Sequence, residues 1–386
     1  MTAAPSPRIR IRPAHPAEFA EEAALVERAF RAGPYGHLPP AEERLAFERD
    51  TAGRAASGVV LVAVDGPGAD AGDAADAAGA GAGGGAGAGA DAGADAGAER
   101  IVGAASVLRA LTPYARVARP GEAEIRLLAV DPAGQGTGIA TALMRAALET
   151  ALEWGAEALV LDTGSKNTRA QALYERLGFE RVPEREPAAS GTVTPYVYRF
   201  ALQERADVRV RLMLPGEAEE VGALTASAYE HDYEIGEGYR AQMLAVAERA
   251  ERHLVWVAVD AASGELLGTV STPRPVETMS ALARPGELDF RLLAVAPDAR
   301  RRGIGALLTR HVLRLARLRG VGRVVMNSGP EMTGAHRLYE SLGFTRMDEL
   351  AHTVTREDGT TFDVLAFGRD VDADAPEPGA GASARP

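Results

Sequence analysis

Apolar residues at Ile304, Leu308, Val312 and Leu315 fall four, four and three apart, which places them on one stripe of a helix. Val324–Met326 is a short, fully apolar run of the kind buried in a sheet, and Gly334–Leu342 reads as a second helix that stops at Gly343. Upstream, Val255–Val259 and Leu266–Val270 are apolar runs separated by Ala261-Ala262-Ser263-Gly264-Glu265, the pattern of a hairpin. The order predicted is strand, one or two helices, hairpin, strand, helix, strand, helix, strand. This is an α/β (α+β) sandwich with a mixed, mostly antiparallel sheet flanked by helices.

That order occurs twice. Glu124–Phe179 aligns without a gap on Asp289–Phe344 at a constant offset of 165, with 23 of 56 positions identical. Arg119-Pro120-Gly121-Glu122 returns as Arg284-Pro285-Gly286-Glu287 at the same offset, whereas Val62-Ala63-Val64-Asp65 returns as Val257-Ala258-Val259-Asp260 at an offset of 195. The first copy therefore holds 30 extra residues between those anchors. They lie in Gly66–Ala98, where 27 of 33 residues are Gly or Ala. Such a segment cannot bury enough apolar surface to offset its ordering entropy, so it is expected to be a disordered insertion at a hairpin tip. It lacks the spacing and the Lys of a phosphate-cradling loop.

The expected organisation is two tandem domains, 1–205 and 206–371, with a boundary near Gln203–Asp207 and a disordered tail at 372–386. The first copy would close on a strand at Tyr196–Leu202. The opening of the second, Val208-Arg209-Val210-Arg211, mirrors Ile9-Arg10-Ile11-Arg12.

Composition narrows the function. Of 386 residues none is cysteine, which removes disulfides, thiolate metal sites and a cysteine nucleophile and suits a reducing cytoplasm. The net charge is −12, of which the insertion and the tail carry −5 and −2, so nucleic acid is not an expected partner. No run approaches a membrane span and the N-terminus has no signal-peptide core, so neither membrane nor export is expected. The seven histidines show no metal-ligand spacing, and no metal is expected.

The segments most informative about chemistry join a strand to the next helix. They are Leu127-Leu128-Ala129-Val130-Asp131-Pro132-Ala133-Gly134-Gln135-Gly136-Thr137-Gly138-Ile139-Ala140 and Leu292-Leu293-Ala294-Val295-Ala296-Pro297-Asp298-Ala299-Arg300-Arg301-Arg302-Gly303-Ile304-Gly305. Each is a strand, a proline break and a small-residue turn that opens a helix, so free N–H groups and the positive helix end converge on one point, as an anion requires. Neither a G-x-G-x-x-G fingerprint nor a Gly-Lys-Ser/Thr phosphate loop is present.

These turns resemble the Gln/Arg-x-x-Gly-x-Gly/Ala signature of the GNAT superfamily of N-acetyltransferases: Gln135, Gly138 and Ala140 in one copy, Arg300, Gly303 and Gly305 in the other. A second family motif, Asn-x-x-Ala-x-x-Leu-Tyr-x-x-x-Gly-Phe, is matched by Asn167, Ala170, Leu173, Tyr174, Gly178 and Phe179. Its counterpart is Ala335, Leu338, Tyr339, Gly343 and Phe344, with Met332 in place of the Asn. The resemblance covers both copies.

It implies an acetyltransferase that moves an acetyl group from acetyl-CoA directly to a small-molecule or peptide amine, with at least one copy active. By resemblance, the backbones of Leu128, Ala129 and Val130 and of Leu293, Ala294 and Val295 would hold the acetyl carbonyl and pantetheine arm. The turns Gln135, Gly136, Thr137, Gly138, Ile139, Ala140 and Arg300, Arg301, Arg302, Gly303, Ile304, Gly305 would take the pyrophosphate, and Asn167 would bond the pantetheine chain. Tyr174 and Tyr339 match the general acid that protonates the departing thiolate; a phenol of pKa ~10 suits a thiol of ~8.5. Glu124 and Asp289 stand six residues before Val130 and Val295, where some members place a general base. For these tyrosines and carboxylates a packed phenol and a solvated charge are the alternatives. In the acceptor region of the second copy, Tyr229-Glu230-His231-Asp232-Tyr233-Glu234 with Glu237 and Tyr239 suits a cationic amine, or is a solvated acidic loop.

The complete second motif favours the first copy as the active one. A tandem member in which the second copy works, and a non-catalytic acyl-CoA-binding sensor, stand as alternatives. The expected particle is a monomer whose two copies form an internal pseudo-dimer.

Overall fold

The computed structural model describes residues 9–66, 99–187, 193–355 and 361–372. Residues 67–98, most of the expected insertion, and 373–386 of the tail lie outside them. The chain forms two compact units, residues 1–108 with 125–144, and residues 109–124 with 145–386.

In the first unit β1 (Ile9–Pro13) is followed by α1 (Phe19–Arg31), α2 (Glu42–Arg49) and α3 (Thr51–Ala56), then by β2 (Gly58–Asp65), β3 (Arg100–Arg109), β4 (Glu122–Val130) and α4 (Ile139–Glu153), of which 125–144 belong here. β1 pairs antiparallel with β2, and β2 with β3. Asp65 is the register partner of Arg100, so the Gly/Ala-rich segment leaves and re-enters a hairpin, as the offset arithmetic requires. Leu25 and Val26 of α1 pack on Val62, Val64, Ile101, Ala104 and Ala129.

The second unit begins with the first residues of β4, Glu122–Glu124, which pair parallel with β5 (Ala158–Gly164). α5 (Thr168–Arg176), β6 (Glu180–Arg181) and β7 (Pro195–Ala201) complete that part, with β7 antiparallel to both β5 and β6. The repeat then restarts with β8 (Val208–Leu212), α6 (Ala218–Glu230), α7 (Glu237–Leu244), α8 (Val246–Arg252), β9 (His253–Asp260) and β10 (Leu266–Pro273). It continues with β11 (Glu287–Asp289), β12 (Arg291–Val295), α9 (Ile304–Leu318), β13 (Arg323–Ser328), α10 (Thr333–Ser341), β14 (Thr345–Arg346), β15 (His352–Thr355) and β16 (Thr361–Asp370). One sheet runs β12-β10-β9-β8 and another β11-β13-β16-β14, with β15 on β16.

The stripe Ile304, Leu308, Val312, Leu315 is buried on α9, but so are Thr309, His311 and Arg314. The helix has a second covered side because the end of the first repeat packs there. Arg314 donates to the Leu202 carbonyl, Arg310 reaches Glu204 at 2.7 Å, and Arg319 pairs with Glu149 at 2.6 Å. His311 lies against the Trp256 ring with centroids 4.3 Å apart, and burial drives its pKa down to about 3, so it is neutral. At the expected boundary the Gln203 side chain donates to the carbonyls of Ala156 and Val210, each at 3.1 Å. The repeat boundary near residue 205 thus lies inside one compact unit.

Candidate active site

The site grows from a strand that divides. Residues 287–295 enter as β11, parallel to β13, and leave as β12, antiparallel to β10 in a different sheet. Ser271 faces Arg291 and Thr269 faces Ala294, so Leu292 and Leu293 together oppose Val270, which is a β-bulge. Leu292 carries the bend with φ +53°. Leu127, at the same place in the first repeat, has the same φ. A β-branched or leucine side chain at positive φ costs roughly 1–2 kcal/mol, and two matched instances mark a retained feature. Downstream of the bend β12 is the edge of its sheet, so its outward N–H and C=O groups have no strand partner among the described residues. Nothing in the sequence of Leu127 or Leu292 announces the bend.

After Val295 the chain turns through Pro297–Ala299 into α9. Gly303 is the N-cap at φ +77°, and no side chain caps the helix. A Cβ at Gly303 would approach only Arg205 Nη1, at 3.8 Å. The uncapped N–H groups therefore face space that an anion can enter. The corresponding Gly136 and Gly138 have φ +91° and +90°, and a Cβ at Gly138 would meet nothing within 4 Å. Asp131 stiffens that turn by accepting from Ala133 N at 3.0 Å, and Thr137 Oγ1 donates to the Gly134 carbonyl at 2.7 Å.

The last small residue of the motif has another role. A Cβ on Gly305 would come within 3.1 Å of Leu338 Cδ2, so this position lets α9 close on α10 beside Tyr339. A further pair matched at the offset of 165 is Gly103 and Gly268. At Gly268 a Cβ would lie 2.7 Å from the Ala294 carbonyl oxygen and 3.0 Å from Ile304. The glycine allows α9 and β12 to sit down on β10.

Tyr339 is 4% exposed, packed among Phe290, Phe344 and Phe367 with ring centroids 6.1, 5.9 and 6.0 Å away. Burial, then the neighbouring Tyr233, raises its pKa well above the usual phenol value, so it is protonated at any physiological pH. Tyr174 is set likewise, raised by burial and then by Tyr198, with Phe179 and Tyr198 at 6.1 and 5.6 Å. Asn167 donates to Thr163 Oγ1 at 3.3 Å. Met332, in its place, lies beside Gly329. Gln171 and His336, also at matched positions, tie the helix to the preceding strand end: Gln171 donates to the carbonyls of Gly164 and Ser165, and His336 Nε2 lies 3.0 Å from the Gly329 carbonyl oxygen.

Glu124 and Asp289 are wholly buried, and both hold loops. Glu124 Oε2 accepts from the N–H groups of Arg116, Val117 and Ala118 at 2.7, 2.7 and 2.9 Å. Asp289 accepts from Met279 N at 2.9 Å and Ser280 Oγ at 2.7 Å. Arg300 does not face the turn as a free charge, because it reaches Asp232 and the Ala228 carbonyl at 2.9 Å. Finally, two of the four acidic residues of the acceptor region are paired with arginines, Glu230 with Arg240 and Asp232 with Arg300. What stands by Tyr229 and Tyr239 is positive charge, from Arg291 and Arg249.

No helix is long and apolar enough to cross a membrane, and no cluster of three or more His, Asp or Glu fit for a metal occurs, both among the described residues.

A divided strand with a bulge, followed by an uncapped glycine-led helix and a buried tyrosine on the next helix, is the architecture of an acyl-CoA-dependent transferase. The chain matches the model of the acetyltransferase (GNAT) family over residues 86–179 and 219–344. It belongs to that family and is a GNAT N-acetyltransferase with two such regions. It is 30% identical over 221 residues to the mycothiol acetyltransferase of Nocardia farcinica, covering 56% of this chain and 69% of that one. The mycothiol acetyltransferase of Rhodococcus jostii is 31% identical over 260 residues, covering 64% and 77%. The ribosomal-protein-S18-alanine N-acetyltransferase of Escherichia coli superposes with a TM-score of 0.32 and 20% identity, over 43% of this chain and 94% of its own.

Proposed function

We propose that the protein transfers an acetyl group from acetyl-CoA directly to a primary amine on a small molecule, and that the second repeat is a working site. The observation that carries this reading is the convergence, within one compact unit, of the bulged edge strand β12, the uncapped α9 N-terminus and the buried Tyr339. The similarity to mycothiol acetyltransferases over more than half of the chain supports a small-molecule acceptor.

Bound acetyl-CoA would supply an acyl group activated as a thioester. In this reading the N–H groups of Arg301, Arg302, Gly303, Ile304 and Gly305 hold the pyrophosphate, helped by the Arg301 side chain, and the edge of Leu293–Val295 pairs with the pantetheine arm. A backbone N–H released by the bulge stabilises the carbonyl oxygen as it gains charge. The amine nitrogen bonds to the acyl carbon as the carbon–sulfur bond breaks, and the Tyr339 hydroxyl protonates the departing sulfur. The low-polarity pocket that raises the phenol raises the thiol in the same way, so the transfer stays nearly balanced. The attacking nitrogen loses its extra proton to solvent to leave the neutral amide, and the Tyr339 phenolate regains a proton from solvent, so no net proton is consumed. Asp289 acts as a positioning residue. The first repeat carries the matching turn 135–140 in its sequence.

Tyr339→Phe is expected to lower kcat by about 10²–10⁴-fold with coenzyme A affinity unchanged, read by thiol release and calorimetry. Unchanged turnover would remove the acid from the mechanism. Calorimetry should show acetyl-CoA binding that Gly303→Val weakens. Failure to bind at millimolar cofactor would end the transferase reading.

A further inference from the structure

The two repeats treat one buried arginine in opposite ways. In the first, Arg54 is fully buried and answered: its terminal nitrogens donate to Glu22 at 2.8 and 3.1 Å, to Ser106 Oγ at 2.7 Å, to Thr51 Oγ1 at 3.0 Å and to the Glu48 carbonyl at 3.0 Å. In the second, α8 puts Arg249 at the position of Arg54, and the equivalent backbone bond, to the Met243 carbonyl, persists at 3.5 Å. The carboxylate is gone. α1 and α6 both follow a helical turn, Pro16–Glu18 and Pro215–Glu217, and this alignment sets Val221 where Glu22 stands, while the offset that matches Arg249 to Arg54 sets Val246 where Thr51 stands. Both valines are buried.

Arg249 thus keeps its charge without its counter-ion. One terminal nitrogen donates to the Gln242 carbonyl at 2.8 Å, and Nε is buried with no partner. Burial, and then the charge of Arg291, hold its guanidinium below the ordinary value. Arg291 itself begins β12, is exposed, and has no ion-pair partner among the described residues. Its counterpart Arg126 instead covers the Phe47 ring at 3.9 Å. A second cation beside a half-buried, unanswered arginine is unfavourable unless something negative sits with them. Tyr229 and Tyr239, whose rings are 6.1 Å apart and edge-to-face, border the same place.

This place is on the acceptor side. Arg291 follows Phe290, which packs on Tyr339, whereas the pyrophosphate turn begins beyond Val295, four residues or about 13 Å further along the strand. We propose that the acceptor of the second repeat is an amine that also carries a carboxylate or phosphate, and that Arg249 and Arg291 seat that anionic group while its amine reaches the Tyr339 end. This assignment rests on the transferase reading above and reverses the cationic acceptor that the local sequence suggested.

The test uses the full chain and pairs of amines that differ only in charge, such as amino acids with their primary amides and amino sugars with their phosphates. The anionic member of a pair is expected to show a kcat/KM about 10- to 100-fold higher. Arg291→Gln and Arg249→Gln should each reduce that ratio to within threefold, through KM for the acceptor, with KM for acetyl-CoA unchanged. Equal use of both members, or a preference that survives Arg291→Gln, overturns the anion seat and leaves the transferase intact. If no amine is acetylated, the transferase reading fails, and the seat is decided by calorimetric titration of coenzyme A-saturated protein with inorganic phosphate. Binding that Arg291→Gln abolishes sustains it; no binding in the wild type removes it. Arg291 is exposed, so its variant carries the test even if Arg249→Gln does not fold.

Discussion

Arg301 has φ +61° where the first repeat has Gly136 at +91°, so the second repeat accepts left-handed strain on a non-glycine residue in the turn proposed for the pyrophosphate. Its side chain is exposed, and the two flanking arginines are engaged elsewhere, Arg300 with Asp232 and Arg302 with Asp260 at 3.6 Å. The strain is consistent with a charge kept for a ligand. Arg301→Gly is therefore expected to act in two directions: a gain of about 1 kcal/mol in unfolding free energy as strain is relieved, and a several-fold loss of coenzyme A affinity. Urea unfolding and calorimetry on the same sample check both. Here the sequence was half legible. The triple arginine is visible, but which of the three is held back from internal partners depends on Asp232 and Asp260, brought in from the turn after α6 and the end of β9.

The paired motifs do more than hold ligands, because several of their small residues exist to let elements meet. Gly268 admits the Ala294 carbonyl and Ile304, and Gly305 admits Leu338, so β10, β12, α9 and α10 close around one point. Gly268→Ala puts a Cβ 2.7 Å from a backbone oxygen, which cannot swing away, so α9 and β12 must shift. A loss of about 1–3 kcal/mol in denaturant unfolding is expected, with activity falling as well. Gly216→Ala, where a Cβ meets nothing within 4 Å, is the control and should stay within about 0.5 kcal/mol. The helices, hairpins and their order were readable from periodicity. The bulge was not, because Leu127 and Leu292 look like ordinary strand leucines, and only pairing across two diverging strands imposes the positive φ.

The compact unit that holds the second repeat also contains the end of the first, and its joint is rich in charge. Glu149 pairs with Arg319, and Glu153 lies half-buried nearby. Burial first, then the negative charge of Glu149, raises the Glu153 carboxyl to about 7, against the pull of Arg319 and Arg274. The folded chain therefore holds this proton more tightly than the unfolded chain, whose carboxyl titrates near 4.5. Its contribution to stability is complete below pH 4.5 and is lost as the pH rises through 7, by up to about 3 kcal/mol. Glu153→Gln should flatten that part of the stability curve between pH 5 and 8 and make the protein more stable than the wild type at pH 8, as urea unfolding at each pH reads directly. An unchanged curve would mean that Glu153 is solvated.

The duplication, the hairpin that receives the Gly/Ala-rich segment, the two glycine-led turns and the two tyrosines follow from residue order alone, since each rests on local periodicity or on a fixed offset between copies. The roles of charged residues do not. Glu124 and Asp289 anchor loops, two carboxylates of the acceptor region pair with Arg240 and Arg300, and Arg249 lacks a counter-ion because a valine stands on another helix. A charge acts through whatever lies within a few ångströms of it, and those neighbours come from distant parts of the chain. The sequence determines which helices and strands form; only the tertiary structure decides which of their charges are left for a substrate.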